Sequence, residues 1–121
     1  MSANYKQVGN TLQYSNAGSA ISSGDVVVVG DLVGIAETAI DATTGVGTVN
    51  VEGVFEVACN TADVIAAGQT LVWDASASEF VDANTPASGD NTGGVVAFTA
   101  AGTGVVLVEV KLLPGSGATT A

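Results

Sequence analysis

The side chains able to do chemistry in this chain are almost all carboxylates: twelve Asp and Glu stand beside no His, one Cys and two basic residues, Lys6 and Lys111. Without histidine the commonest general base and transition-metal ligand is missing. A lone cysteine leaves no thiolate cluster and no Cys–His pair. Two carboxylates flanking one bond could hydrolyse a glycoside. Glu52 and Glu56 share a face of a period-2 stretch, but at 3.3 Å per residue they stand about 13 Å apart. A solvated strand face is the simpler reading. Calcium accepts oxygen ligands alone, yet no Asp-x-Asp-x-Asp-Gly loop occurs. Asp25, Asp31, Asp74 and Asp82 each adjoin a turn, where aspartate caps backbone groups in any case. Glycines are scattered without the spacing that cradles phosphate. Cys59 follows a strand with no His, Lys or Arg near it in sequence, which reads as a small packing residue. No catalytic residue, metal or cofactor is therefore expected, and the chain is not expected to be an enzyme.

The elements that would carry these residues are β-strands. In GDVVVVGDLVGIAE, residues 24–37, four consecutive valines between glycines read as a strand covered on both faces. Gly30-Asp31 then suits a tight hairpin turn into a second strand, with a single strand bulged at Gly30 as the alternative. GTVNVEGVFEV gives the clearest alternation: Val49, Val51, Gly53, Phe55 and Val57 on the core face, Thr48, Asn50, Glu52, Val54 and Glu56 largely on the wet one. A glycine on the core face marks a bulge or a close crossing.

Residues 60–68, NTADVIAAG, are the one stretch with helical signals, at most two turns: Thr61 as N-cap, Asp63 in the first turn, Gly68 as terminator. A second hairpin pairs residues 69–73 with 79–82, and a loop around Pro86 follows. Residues 93–99 and 104–113 close the domain as two strands. In the last, Val106, Val108, Val110 and Leu112 share one face, while the other begins apolar at Val105 and Leu107 and ends polar at Glu109 and Lys111. AISSGDVVVV and VIAAGQTLVW echo each other, either as a duplicated unit or because strands begin in similar ways.

The expected organisation is one all-β domain: an N-terminal arm or edge strands over residues 1–14, a β-domain over 15–113 and a mobile tail over 114–121. Hydrophobic residues make up 47% and charged residues 12%, with a formal charge of −10. So weakly charged an exterior suggests that other copies or another protein cover much of it. Two lysines cannot neutralise a phosphate backbone or grip an anionic membrane, so neither nucleic acid nor membrane is an expected partner. The first residues, MSANYKQVGN, carry no basic region followed by an apolar run, and synthesis in a cytoplasm is expected.

The order NYKQVGNTL, SGDVVVVGDLVGIA, VNVEGVFEV, AAGQTLVWDAS with EFV, and a valine-rich last strand resembles the small capsid cement, or head decoration, proteins of tailed bacteriophages, over residues 4–112. No one motif is specific; their succession and spacing are the signal. The resemblance implies a small β-barrel or tulip-like β-domain, trimeric, on the outer surface of the head where major capsid subunits meet, reinforcing the mature shell. It carries the arm over as the capsid-facing segment: Asn4, Tyr5, Gln7, Val8, Thr11, Leu12 and Tyr14. Trp73, Val105 and Leu107 are candidates for apolar contact between copies, with core packing as the alternative. Rival classes are a carbohydrate-binding or host-adhesion β-module displayed on a virion, which would present several exposed aromatics, and a small hydrolase, which would need a carboxylate pair that the spacing does not provide.

Overall fold

The computed structural model describes residues 9–82 and 85–121. Every regular element in it is a strand. A four-stranded antiparallel sheet has the order β1 (Thr11–Ser15), β4 (Val46–Asn50), β3 (Leu32–Ala36), β2 (Val26–Val29). A six-stranded sheet has the order β5 (Val54–Ala58), β9 (Leu107–Leu112), β8 (Asn91–Ala97), β6 (Thr70–Asp74), β7 (Glu79–Val81), with β10 (Ala118–Thr119) paired to β8. The all-β expectation holds, but no strand ladder closes a barrel among the described residues. The six-stranded sheet curls far enough for its two ends to meet at one point, a parallel bridge between Cys59 and Phe80.

The β2–β3 hairpin is the middle layer. Val29 pairs with Leu32 across a two-residue turn. Gly30 takes φ 60° there while Asp31 stays at negative φ, the type II′ pattern whose twist matches the strands. Val26, Val28, Val33 and Ile35 face one apolar cluster, with Leu71, Trp73, Val95, Val108 and Val110 of the larger sheet. Val27, Val29, Leu32 and Ala36 face a second, with Ile40, Val49 and Val51. The valine run meets apolar side chains on both faces, but only Val27 is buried and Val26, Val28 and Val29 are half-buried, so the strand is covered less fully than the sequence suggested.

The long alternating stretch is not one strand. Gly53, at φ 120°, turns the chain from β4 in the small sheet to β5 in the large one. The core-face glycine is thus a corner.

The expected helix over 60–68 does not form. Asn60 Oδ1 accepts the Ala62 N–H at 2.8 Å, bending the chain at once. Ile65 then exchanges two main-chain bonds with Ala101, at 2.8 and 2.9 Å, so that a residue placed mid-helix by its spacing is held as a β-bridge. The tail expected to be loose also differs: Ala118 pairs with Thr92 and Thr119 with Asn91.

The faint internal echo is a repeated device. In residues 22–25 the Asp25 N–H donates to the Ser22 carbonyl at 3.1 Å, and the Ser22 N–H donates back to Asp25 Oδ2 at 2.9 Å. In residues 66–69, Gln69 and Ala66 make the same two bonds at 3.2 and 3.0 Å. Residues 87–90 repeat the turn again, with Asp90 and Ala87 at 3.0 Å in both directions. The third position is always a glycine with φ between 84° and 91°, which a type II turn requires. Each turn leads into a strand, β2, β6 or β8. For the first two the likeness extends outward, since Ile21 bridges Ile40 as Ile65 bridges Ala101.

Candidate binding surfaces

Five aspartates, Asp25, Asp31, Asp63, Asp74 and Asp90, act as turn and strand caps. Asp31 Oδ1 accepts the Thr119 N–H at 2.8 Å, and Asp74 Oδ1 accepts the Ser76 hydroxyl at 2.8 Å. Asp63 Oδ2 accepts the Asp82 N–H at 2.9 Å. Among the described residues, no three His, Cys, Asp or Glu converge as a metal site would require. Glu52 sits in the corner between β4 and β5, whereas Glu56 lies on β5 directly across from Glu109. Cys59 is buried and its thiol donates to the Val105 carbonyl at 3.4 Å. Burial pushes its pKa up, and the negative charges of Glu79 and Asp63 push it further, the opposite of what a nucleophile needs.

The residues expected to contact a capsid or another copy are distributed as follows. Asn4, Tyr5, Gln7 and Val8 lie outside the described residues. Thr11, Leu12 and Tyr14 are in β1, and Leu12 and Tyr14 turn inward against the second cluster. Trp73 is core: it is 8% exposed and tilted 58° against Phe80 with ring centroids 4.9 Å apart. Val105 and Leu107 are 40% and 44% exposed. They continue an uncovered apolar strip with Val106, which alternation had placed on the core face but which is 60% exposed and precedes the strand.

Among the edge strands, β1 and β5 have main-chain groups turned outward. In β1, Asn10 accepts from the Val51 N–H at 2.9 Å and the Asn16 N–H donates to Gly45 at 2.8 Å. Antiparallel pairing alternates, so the even-numbered residues bond β4 while Gln13 and Ser15 face away from it. In β5, the Cys59 N–H donates to Val106 and the Leu112 N–H to Gly53, each at 3.0 Å. The odd-numbered residues therefore bond β9, and Val54 and Glu56 present their N–H and C=O groups to the open side, as Ala58 does its N–H; the Ala58 carbonyl belongs to the bridge between Cys59 and Phe80. The next outward N–H, that of Asn60, is taken by the Phe80 carbonyl at 2.9 Å. The edge is closed there and open behind it.

A cleft of about 380 Å³ runs beside that open stretch, between Glu56 and Ala58 on one wall and Asp25, Val26, Trp73 and Ser78 on the others. Sequence reasoning missed this edge because the alternation ran on through Gly53 and made β5 the second half of a longer strand. The positive-φ glycine was the available signal.

With the geometry in hand, comparison with known proteins adds one result. A family model described as phage cement protein matches residues 6–112. No curated protein matches the chain.

Proposed function

The chain belongs to the phage cement protein family, whose members associate with the phage capsid and stabilise it, and from that premise we propose that it binds the outer surface of the head as a homotrimer where major capsid subunits meet. The observation that carries this reading is the family match over residues 6–112. The fold agrees with it, since Asp25, Asp31, Asp63, Asp74 and Asp90 cap backbone groups and the described surface offers an apolar strip and open strand edges.

Cement action follows from geometry. A subunit touching several capsomers at once gains effective concentration at each contact after the first, so many modest contacts resist internal pressure together. The segment over residues 4–14 is proposed to face the capsid. Its β1 part presents the outward main-chain groups of Gln13 and Ser15, to which an extended capsid segment can add as a strand. Leu12 and Tyr14 then support that edge from the core side instead of touching the shell. Val105 and Leu107 are proposed to meet another copy, while Trp73 braces the fold from within. The glycan-binding alternative gains no support from the described aromatics: Trp73 and Phe80 are buried and Phe98 alone is exposed beyond half.

Co-sedimentation of the purified chain with empty heads of its phage lacking the protein tests the reading, with light scattering of the free and head-bound protein for the oligomer. Saturable binding that raises the heads' resistance to heat is expected. A free monomer that ignores heads would overturn it.

A further inference from the structure

We propose that the open edge of β5 is a second docking site, which receives an extended, basic segment of the capsid protein as an added strand, with a Lys or Arg of that segment held between Glu56 and Asp25. This deepens the cement reading and rests on it.

The backbone comes first. Val54 and Glu56 each offer an outward N–H and C=O pair on a five-residue strand, and Ala58 offers its N–H, its carbonyl being taken up where Cys59 bridges Phe80. Exposed edges are commonly blunted by Lys, Pro or a bulge. VFEVA has no Lys or Pro, and its pairing with β9 runs in unbroken register from Val54↔Lys111 to Ala58↔Leu107. An added strand sits about 4.8 Å away from its neighbour, and the cleft of about 380 Å³ between Glu56 and Asp25, Val26 and Ser78 is the space into which it would be laid.

Charge then selects the occupant. Glu56 stands opposite Glu109, a like-charged cross-strand pair whose repulsion an added cation would relieve. Asp25 lines the same cleft from β2's side. The described cation, Lys111, lies on the same face one pair along, across from Val54, and is outnumbered there by Glu56, Glu109 and Asp25. A second copy presenting its own β5 in antiparallel register about Glu56 would set two carboxylates face to face. A chain of formal charge −10 also repels its copies. A basic segment from a different protein meets neither obstacle, and the family's established associate is the capsid.

Binding of the full-length chain to cement-free empty heads of its phage tests this with three variants. Glu56→Pro removes an outward N–H that β9 does not use, and Glu56→Lys places a cation on the edge. Glu37→Lys makes the same change in net charge at an exposed site outside the cleft. Circular dichroism and melting establish folding, and Glu56→Lys keeps the test decisive if the proline variant fails to fold. Head affinity is expected to fall about tenfold or more for both Glu56 variants and to change little for Glu37→Lys. The affinity of the unmodified chain should also fall more steeply with NaCl than that of Glu56→Lys. Unchanged head binding by Glu56→Lys overturns the edge site and leaves the cement reading standing, while failure of the unmodified chain to bind overturns both. Loss of self-association with head affinity intact would assign the edge to another copy, including its N-terminal segment with Lys6, and overturn the capsid segment as occupant.

Discussion

The side-chain amide of Asn91 donates to the main-chain carbonyl of Asp31 at 3.0 Å, across 60 residues of sequence, and so ties β8 of the large sheet to the turn of the β2–β3 hairpin. The same Nδ2 donates to Thr119 Oγ1 at 3.0 Å, and that hydroxyl donates to the Gly30 carbonyl at 2.6 Å. Three distant segments share one knot of polar groups, and Asn91 at its centre is 1% exposed.

Asn91→Ala removes the central donor, opens a small void and strands the acceptors it served. A loss of about 2–3 kcal/mol is expected, seen as a lower urea midpoint with an unchanged slope. Asn91 Oδ1 is buried without a partner among the described residues. It sits where a Cβ on Gly94 or Gly117 would have to go, so Gly94→Ala and Gly117→Ala should also destabilise. An alanine at Gly94 that melts like the parent would contradict this packing.

Deleting residues 114–121 should lower the melting temperature measurably, because β10 covers Asn91 and Thr119 supplies three of the knot's bonds. A disordered tail would leave melting unchanged. The single change Thr119→Val, which keeps the shape and removes the hydroxyl, should cost about 1–2 kcal/mol.

The repeated turn yields a graded series. Asp25→Ala and Gln69→Ala each lose one side-chain cap on a main-chain N–H and should cost about 1 kcal/mol. Asp90→Ala should cost more: it is 2% exposed and its carboxylate accepts both the Ala87 and the Ala75 N–H groups, each at 3.0 Å. Equal losses at all three sites would show that burial of Asp90 adds nothing.

Close approach of backbone explains two further glycines. An alanine at Gly34 would meet a Val49 methyl and the Asn50 carbonyl, and one at Gly47 would meet Ile40, which is 1% exposed and has nowhere to go. Each should destabilise by about 1–3 kcal/mol, as overpacking does. Gly102→Ala, with open space around it, is the control and should stay within about 0.5 kcal/mol of the parent.

Thiol reagents should modify Cys59 slowly in the folded protein and rapidly once urea unfolds it. Its folded pKa is raised above the ordinary 9.0, chiefly by burial. As the pH rises, the unfolded chain therefore gives up this proton first, so the thiol's contribution favours the unfolded state above that value. Stability should decline in alkali more for the parent than for Cys59→Ala, and an identical decline would remove the thiol as its cause.

Much of the strand content was legible in the sequence, for local reasons. Four valines in a row are stiff and poor in a helix. Gly30-Asp31 can form a tight primed turn, and alternation in 107–112 shows one face. The same composition argued against catalysis, because histidine is absent, Asp25, Asp31, Asp74 and Asp82 lie beside turns and Glu52 and Glu56 are spaced too far apart to act together. What local pattern could not settle depended on distant partners. Gly53 reads locally as a bulge or a close crossing, whereas the fold makes it a corner between sheets, a choice made by β9, which pairs with β5 about fifty residues later. The signals for a helix over 60–68 were real but short, and two main-chain bonds to Ala101 outweigh two turns of weak propensity. PGSGATTA has the composition of a tail until Asn91 and Asp31 offer Thr119 its bonds. The open edge of β5 is tertiary in the same sense: a strand becomes an edge only through what the rest of the chain leaves unpaired beside it, and no residue of VFEVA carries that information.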